Sequence, residues 1–271
     1  MGTDALFGTQ RNGFRKFIAW TTLALFLAQP ALAAAAPAAD PSAPAGQKPV
    51  IDKAQNGVPV VQIAAPSKAG VSHNKYLQFN IDPNGLILNN SRVVTPTQLA
   101  GYITGNPNLA GGPARIILNE VTGRDISRLG GYLEVAGPKA DVVIANPNGI
   151  VGSGFGFINT NRAVLTTGTP IFGGSGSLEA FRVTGGTIAV EGDGLNANGA
   201  DRVDLIARAV EVNAGLWAKE INAVTGANEV GYNTLKAQKI AGDANQPAVS
   251  LDVAALGGMY AGKIRLVGTE Q

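Results

Sequence analysis

The sequence predicts an all-β protein that folds as a solenoid of short strands. Hydrophobic residues make up 45% of its 271 residues but aromatic residues only 6%, so small aliphatic side chains must build the core. Glycine occurs 36 times, and glycine together with asparagine indicates frequent backbone turns. Between these turn residues, β-branched runs of about five residues recur, which is the usual length of a strand.

Two observations favour a solenoid over an antiparallel sandwich, although neither excludes the sandwich. The sequence has few of the two-residue signals that mark a β-hairpin. Runs such as 115–121 and 140–146 are mostly apolar rather than strictly alternating, which is typical of strands covered on both faces. Exact repeats are absent, so the period of the solenoid is weakly defined.

The first 33 residues have the features of a secretory signal peptide. Three basic residues precede the uncharged apolar run 17–28, and the small-x-small sequence at 31–33 fits a cleavage site. An uncleaved membrane anchor is the alternative, but the apolar run is shorter than the roughly 20 residues that a span needs. We therefore expect residues 1–33 to be removed by cleavage at or near Ala33.

Cleavage at this site would leave a neutral chain. The first 33 residues contain three basic residues and one acid, and the whole chain carries a formal charge of +2. Nucleic acid is not an expected partner, because such binding needs clustered lysine and arginine. Cysteine is absent, which excludes disulfides, thiolate metal sites and cysteine nucleophiles. No cofactor is expected.

The rest of the chain divides into a linker and one domain. Residues 34–49 are rich in alanine and proline and lack apolar periodicity, so we expect a disordered linker there and a folded domain over 50–271. One short helix is predicted over 95–103, with Thr95 as N-cap and Pro96 at the first helical position. The predicted strand regions are 58–64, 77–81, 85–90, 115–121, 140–146, 162–168, 181–192, 201–226 and 262–268.

Several aliphatic residues of these runs are candidates for a dry interior. Successive side chains of a strand point to opposite faces, so only one of the neighbours Val164 and Leu165 should face inward. The interior candidates are Val142, Ile144, Val164, Leu165, Val203, Leu205, Val210 and Ile221.

The tripeptide Asn-Pro-Asn occurs twice, at 106–108 and 146–148. An asparagine side chain can mimic a backbone turn, and proline fixes φ at the following position. The second asparagine tolerates a left-handed conformation, as does Gly149 after the second tripeptide. Such a sequence ends a strand and turns the chain around a corner, which every rung of a solenoid requires.

The stretch from about Asn56 to Thr169 resembles the N-terminal secretion domain of two-partner-secretion exoproteins. This is the family of filamentous haemagglutinin, secreted haemolysins and contact-dependent inhibition effectors. The two Asn-Pro-Asn motifs with the intervening "NEVTG" form a specific combination. The residues that carry the resemblance lie at 56–76, 85–90, 105–123, 129–150, 156–168 and 203–228.

The resemblance implies a right-handed parallel β-helix with an N-terminal cap and small extra-helical strands. It also implies a secretion-recognition module that the POTRA domains of an outer-membrane β-barrel transporter recognise in the periplasm. The exoprotein would then be exported to the surface or medium of a Gram-negative bacterium. The positions that match the family's turn motifs are Asn106, Pro107, Asn108, Leu109, Asn146, Pro147, Asn148, Gly149 and Ile150.

Two details of the sequence refine this expectation. Many haemolysin-like and contact-inhibition members carry Cys-x-x-Cys after the second motif, where this chain has Gly152 and Phe155, and this favours the adhesin-like branch. The last run, 262–268, reads as a strand with no terminating cap, although solenoids need capped ends. We therefore expect the chain to be the N-terminal part of a longer exoprotein or a truncated product.

Two other classes of function remain alternatives: an adhesin that binds a host receptor or glycan directly, and a β-helical carbohydrate-active enzyme. The glycine-rich stretches 152–157 and 173–177 lack the context of a phosphate site and are interpreted as solenoid corners. The single histidine, His73, is interpreted as structural, and Trp217 and Tyr232 as packing residues. An enzyme would need clustered carboxylates. The candidate acids, interpreted instead as lying on solvated faces or at the ends of strand ladders, are Asp201, Asp204, Glu211 and Glu220.

Overall fold

Parallel strands stacked in rungs form the body of the protein in the computed structural model, which describes residues 36–253 and 257–270. The predicted signal segment 1–33 and its cleavage site lie outside these residues. The strands are β1 (Ala38–Ala39), β2 (Val50–Lys53), β3 (Pro59–Gln62), β4 (Val71–Gln78), β5 (Leu86–Asn89), β6 (Thr95–Thr97), β7 (Gly101–Ile103), β8 (Ile116–Val121), β9 (Ser127–Leu129), β10 (Tyr132–Ala136), β11 (Ala140–Ala145), β12 (Ile150–Ile158), β13 (Thr160–Thr166), β14 (Thr169–Phe172), β15 (Leu178–Val183), β16 (Thr187–Asn196), β17 (Ala200–Ala207), β18 (Ala209–Val212), β19 (Gly215–Trp217), β20 (Glu220–Thr225), β21 (Asn228–Gly231), β22 (Ala237–Lys239), β23 (Leu251–Val253), β24 (Gly258–Tyr260) and β25 (Lys263–Gly268).

Two long sheets run along the stack. The first sheet has the order β1-β4-β8-β11-β13-β17-β20-β25, and the second has the order β2-β3-β5-β10-β12-β16-β18-β23 with β9, β19 and β24 attached. Strands pair in parallel throughout both sheets except at the N-terminal end, where β1 and β2 are antiparallel to their neighbours. Because the chain alternates between the sheets as it advances, the fold is a parallel β-helix, as the sequence predicts.

The interior of the helix is largely aliphatic, with the aromatic residues Tyr76, Phe79, Phe155 and Phe157 also in the core. Adjacent rungs place like side chains in register, as in the row Ile144, Leu165 and Leu205. Seven of the eight interior candidates lie in this core. The exception is Val164, which points outward from the first sheet, as alternation requires for one member of the pair Val164 and Leu165.

Val164 is nevertheless fully buried, because a second layer covers the outer face of the first sheet. This layer is an antiparallel extra-helical sheet with the order β14-β15-β21-β22. Phe181 from this sheet and Tyr232, which directly follows β21, pack with Val143 and Val164 in a separate apolar cluster. A smaller hairpin, β6–β7, covers the start of the second sheet, where Ile103 packs with Val60 and Ile87.

Two local predictions are wrong. The predicted helix over 95–103 is the hairpin β6–β7, in which Thr95 pairs with Ile103. A distant carboxylate decides this conformation: Glu134 accepts hydrogen bonds from the backbone N–H groups of Gln98 (2.7 Å) and Leu99 (2.9 Å) at the hairpin turn. Gly101, with φ of 67°, then starts the returning strand.

The stretch predicted as a disordered linker, 34–49, is ordered from residue 36 onward. Strand β1 pairs with β4, and a short 3-10 helix follows over Ala45–Gln47. The buried Asp40 anchors this segment, because its carboxylate accepts hydrogen bonds from the Ser42 hydroxyl (2.6 Å) and from the hydroxyl of Thr122 (2.8 Å). Together with β2, whose Ile51 packs against the core, this segment forms the N-terminal cap.

The sequence predicts that the glycine-rich stretches are corners of the solenoid, and this prediction is also wrong. Residues 152–157 lie within β12, where a register shift between Ser153 and Phe155 marks a bulge. Residues 173–177 form the turn between β14 and β15, outside the helix. Regular helix in the described part of the chain is limited to three 3-10 segments of three residues each. None of the helices described is long or apolar enough to cross a membrane.

Candidate functional site: two Asn-Pro-Asn turns

The first turn, residues 106–109, follows the hairpin β6–β7 and leads into β8. Asn106 is buried, and its side-chain oxygen accepts a hydrogen bond from the backbone N–H of Asn108 at 2.9 Å. Its amide nitrogen donates to the carbonyl oxygens of Ile63 and Asn89, both at 3.0 Å. Asn89 ends β5 and Ile63 directly follows the neighbouring strand β3, so one side chain ties the turn to two rungs.

The residues after Asn106 continue this arrangement. Pro107 begins a 3-10 helix over Pro107–Leu109, where its missing N–H costs no hydrogen bond. The Asn108 side chain donates a second hydrogen bond to the Ile63 carbonyl, at 3.1 Å. Leu109 is fully buried and enters the core of the helix. The turn is thus held by hydrogen bonds from its asparagines and by the packing of Leu109 in the core.

The second turn, residues 146–150, joins β11 directly to β12. The buried Asn146 accepts a hydrogen bond from the Asn148 backbone N–H at 3.0 Å, repeating the pattern of the first turn. Its amide nitrogen donates to the Asp125 carbonyl at 2.9 Å and to the Ser127 hydroxyl at 3.0 Å. These partners lie in the preceding rung.

Gly149 and Ile150 complete the second turn. Gly149 has φ of 124°, a conformation that residues with a side chain rarely adopt, and a Cβ there would lie 3.0 Å from the Thr187 carbonyl oxygen. Ile150 begins β12 and is fully buried in the core. The backbone N–H of Ser127 donates to the Gly149 carbonyl at 3.0 Å, which starts the pairing of β9 with β12.

The two turns do not form one patch. The first lies where the chain passes from the second sheet to the first, and the second lies where it passes from the first sheet to the second. Within the described residues, the hydrogen bonds of the first turn share no residue with those of the second. What the turns share is their chemistry: an exposed proline, a buried first asparagine and an apolar residue in the core.

Two further asparagines perform the same task without a proline and were missed by sequence reasoning. The Asn90 amide donates to the carbonyls of Ala114 and Pro138, both at 3.0 Å. Asn159, with φ of 56°, donates to Val135 at 2.7 Å and to Gly137 at 2.9 Å. Their only signal in the sequence is an asparagine at the end of a largely apolar run, directly after it for Asn159 and one residue later for Asn90.

His73 and three of the four candidate acids are engaged in ion pairs. The fourth acid, Glu211, is half-buried in β18 and has no ion pair among the described residues. His73 Nε2 lies 2.6 Å from Glu120 Oε2 and the ring packs on Phe172, which agrees with a structural role. Asp201 pairs with Lys219 at 2.9 Å, and this hydrogen bond lowers the pKa of its carboxyl. Glu220 accepts a hydrogen bond from Asn222 at 3.2 Å, which lowers its pKa, as does Lys263.

For Asp204, the prediction of a solvated face or a ladder end is wrong. This residue is fully buried and pairs with Arg162, and Arg202 Nε lies 3.3 Å from its other oxygen. Arg162 in turn lies over the ring of Tyr232, 4.3 Å from the ring centroid. Burial raises the pKa of Tyr232, whose hydroxyl donates to Asp141 at 2.7 Å. This network fastens the extra-helical sheet to the helix.

The described residues contain no group of three or more histidine, cysteine, aspartate or glutamate side chains that could hold a metal ion. Tyr232 packs against the first sheet, as expected of a packing residue. Trp217 is 40% exposed and stacks on Tyr260 with ring centroids 5.9 Å apart. Phe155 covers Gly152 so closely that a Cβ on the glycine would meet the ring at 2.1 Å.

Comparison with known proteins gives one family. The family model described as "TPS secretion domain" matches residues 35–271. A "Toxin CdiA" of Yersinia pestis is 55% identical over 239 residues, which is 88% of this chain and 7% of that protein. A "16S rRNA endonuclease CdiA" of Enterobacter cloacae is 48% identical over 248 residues, which is 91% of this chain and 7% of that protein. The chain thus spans less than a tenth of the length of these curated relatives.

Among solved structures, the chain is similar to a filamentous haemagglutinin secretion domain. The TM-score is 0.80 at 36% sequence identity, over 88% of this chain and 80% of that chain. The higher identity to CdiA proteins means that Gly152 and Phe155 do not indicate the adhesin-like branch.

Proposed function

The chain belongs to the family of two-partner-secretion (TPS) domains, and we infer from this membership that it is the secretion-recognition module of an exoprotein. The observation that carries the inference is the family match along the whole β-helix, joined by the structural similarity to a haemagglutinin secretion domain. A module of this kind works by being recognised, so its requirement is a well-formed surface rather than a reactive centre.

We propose that its partner is an outer-membrane β-barrel transporter whose POTRA domains bind the module in the periplasm. The predicted signal peptide supports this route, because it would deliver the chain to the periplasm in Gram-negative cells. Export would then place the exoprotein on the cell surface or in the medium. The electrically neutral mature chain favours recognition by shape and backbone pairing over attraction between opposite net charges.

We also propose that the module is the N-terminal part of a much longer exoprotein, since the curated relatives are far longer than this chain. The nuclease and toxin names of those relatives describe whole proteins, of which this chain matches 7–8%. We attribute no nuclease activity to the module. Which activity the longer protein carries depends on segments beyond the matched part.

Within the module, we propose that the two Asn-Pro-Asn turns are corners that hold the recognised surface in shape. Their support is structural: each first asparagine is buried and bonds to an earlier rung, while each proline faces solvent. The turns therefore act through the geometry of the cap and early rungs. In this proposal a damaged turn impairs export by deforming the module.

The adhesin and enzyme alternatives have less support. A β-helical glycosidase needs free carboxylates facing one another across a substrate. Asp201, Asp204 and Glu220 are instead each paired with a cationic side chain. Host receptors or glycans, if bound, are proposed as ligands of the longer exoprotein.

The test is export with and without the transporter. The chain is expressed in a Gram-negative host, alone or with a TPS transporter from the same source organism, and both medium and periplasm are assayed. We expect the chain in the medium only when the transporter is present, with a mature N-terminus at or near Ala34 by mass spectrometry. Equal export without the transporter would contradict the function, and an intact Met1 would contradict the signal.

A further inference from the structure

Strand β2 presents an open edge at the N-terminal end of the second sheet. Within the described residues it pairs only with β3, so its other side has no backbone partner. Residues 34–35 lie outside the described residues, and residues 1–33 are expected to be removed by signal cleavage. Three of the four residues of β2 are exposed, including Val50 at 52%. An open edge offers a row of backbone donors and acceptors to another strand.

The register of β2 identifies which groups face outward. The Ala54 N–H donates to the Val58 carbonyl at 2.9 Å, and pairing continues from there with Lys53 opposite Pro59. Antiparallel pairs alternate between bonded and non-bonded positions. Lys53 and Pro59 therefore form a non-bonded pair, which is the position where a proline in β3 costs no ladder bond. The N–H and C=O groups of Lys53 and Ile51 consequently point to the open edge.

The neighbouring edge is closed by comparison. The first sheet ends at the same end of the molecule in β1, which is two residues long and has a proline on either side, Pro37 and Pro41. Proline and extreme shortness both prevent strand addition. Of these two N-terminal edges, only that of β2 could accept a strand of several residues.

A groove lies between the face of strands β2 and β3 and the hairpin β6–β7. It has a volume of about 330 Å³, and its lining includes Asp52 and Lys53 of β2, Val60 of β3, and Tyr102. Tyr102, from the hairpin β6–β7, is 77% exposed, which is unusual for so large an aromatic side chain. A strand added to β2 could place a side chain against Tyr102 while its backbone pairs with the edge.

We propose that β2 is the strand to which the transporter binds, by adding an extended segment of its periplasmic domain to the second sheet. The proposal rests on the secretion function proposed above and names the contact surface for it. Backbone pairing gives affinity whatever the sequence of the added strand. Contacts of its side chains with Tyr102 and Val50 would provide specificity.

The experiment compares two lysine-to-proline variants. Lys53→Pro removes the outward N–H of β2 without removing a bond to β3. Lys239→Pro is the matched control, because Lys239 is exposed in the edge strand β22 and lies opposite Asn228. The adjacent pair is bonded, with Ile240 N–H donating to the Ala227 carbonyl at 3.0 Å, so the Lys239 N–H also points outward.

The purified periplasmic fragment of the transporter is titrated against the chain and both variants. We expect Lys53→Pro to weaken binding at least about five-fold, the effect of one lost hydrogen bond, while Lys239→Pro binds like the wild type. Equal binding by all three would overturn the edge proposal and leave the secretion function intact. Equal loss in both variants, or a concentration-dependent dimer through β2, would also overturn it. No binding by the wild type would overturn both proposals.

A second measurement covers the case in which Lys53→Pro fails to fold. Because the chain has no cysteine, Val50→Cys introduces a unique thiol beside the edge. A photoactivatable cross-linker on this thiol should capture the transporter fragment. The same label at Val249→Cys, a site that is 58% exposed in the wild type and far along the chain, should not. Binding without cross-linking at residue 50 would overturn the proposal.

Discussion

The two Asn-Pro-Asn turns share three letters and one hydrogen-bond pattern, but they connect the two sheets in opposite order. The first lies between strands β5 and β8, on the way from the second sheet to the first. The second connects β11 to β12, from the first sheet to the second. In both, the buried first asparagine accepts a bond from the N–H two residues later. The tripeptide therefore specifies a turn and not a place in the fold.

The residue that follows the tripeptide accounts for the difference. Leu109 continues a 3-10 helix and fills the core, whereas Gly149 adopts a positive φ and returns the chain at once to an extended strand. The first turn depends on the packing of the Leu109 side chain, and the second depends on the absence of a side chain at Gly149. The comparison thus predicts that the same substitution has different costs in the two turns.

The largest expected effect is at the fourth position. Gly149→Val should reduce the free energy of unfolding by about 3 kcal/mol or more, because a β-branched residue is strained at this φ and its Cβ meets the Thr187 carbonyl. Leu109→Val, its counterpart, should cost only about 1 kcal/mol through lost packing. Urea unfolding followed by circular dichroism measures both. Equal costs would show that the turns are equivalent after all.

The second-largest expected effect is a difference in stability cost between the two buried asparagines, Asn106 and Asn146. Asn106→Ala should cost about 3 kcal/mol and Asn146→Ala about 2 kcal/mol, because a buried hydrogen bond contributes roughly 1–1.5 kcal/mol and a partly solvated one much less. Asn106 loses three bonds, of which two are buried, and Asn146 loses four, of which one is buried. The Asn106 amide serves two buried backbone carbonyls, and water cannot replace it there. The Asp125 carbonyl bonded by Asn146 is only partly buried. A larger loss for Asn146→Ala in the same unfolding assay would reverse the ranking.

These costs could be only partly anticipated from the sequence. The turn chemistry of both tripeptides follows from asparagine and proline alone, and alternation places Val164 opposite to Leu165. The burial of Val164 does not follow, because the covering sheet comes from residues 169–239. An apolar residue under a second layer and one inside the helix look alike in a sequence.

Long-range partners explain the other failures. Thr95 and Pro96 suit the start of a helix, but the carboxylate of Glu134, some 35 residues away, fixes a hairpin turn instead. Asp204 reads as a solvated acid until its partner Arg162, 42 residues earlier, is in place. Asp40 holds an alanine- and proline-rich segment in place through Thr122, 82 residues later. Local composition contains no signal for any of these pairs.

A smaller effect should be the same in both turns. Pro107→Ala and Pro147→Ala should each cost about 0.4–1 kcal/mol, because both prolines are exposed and act mainly by restricting the unfolded chain. Thermal unfolding of the two variants measures the difference, which we expect to lie within experimental error. A clear excess in one turn would mean that its proline also makes a contact in the folded state.

The smallest effect concerns pH. Neither turn contains a titratable side chain, so the Asn106→Ala and Asn146→Ala costs should not change between pH 7 and pH 3. The cap provides the contrast, because hydrogen bonds from Ser42 and Thr122 hold the pKa of Asp40 below its ordinary 3.8. Its stabilisation is present above about pH 4 and is lost as the pH falls through the lowered pKa. Asp40→Asn should therefore destabilise the protein at pH 7 and matter progressively less in acid.

The central claim is that the turns serve secretion by shaping the module. The most direct test measures export of the Asn146→Ala, Gly149→Val double variant with the transporter co-expressed, alongside circular dichroism of the purified protein. We predict that export falls together with folding, and further than in either single variant. Full export by the double variant would contradict the role of the turn in secretion. Lost export with unchanged folding would make these residues direct contacts of the transporter and contradict the structural account.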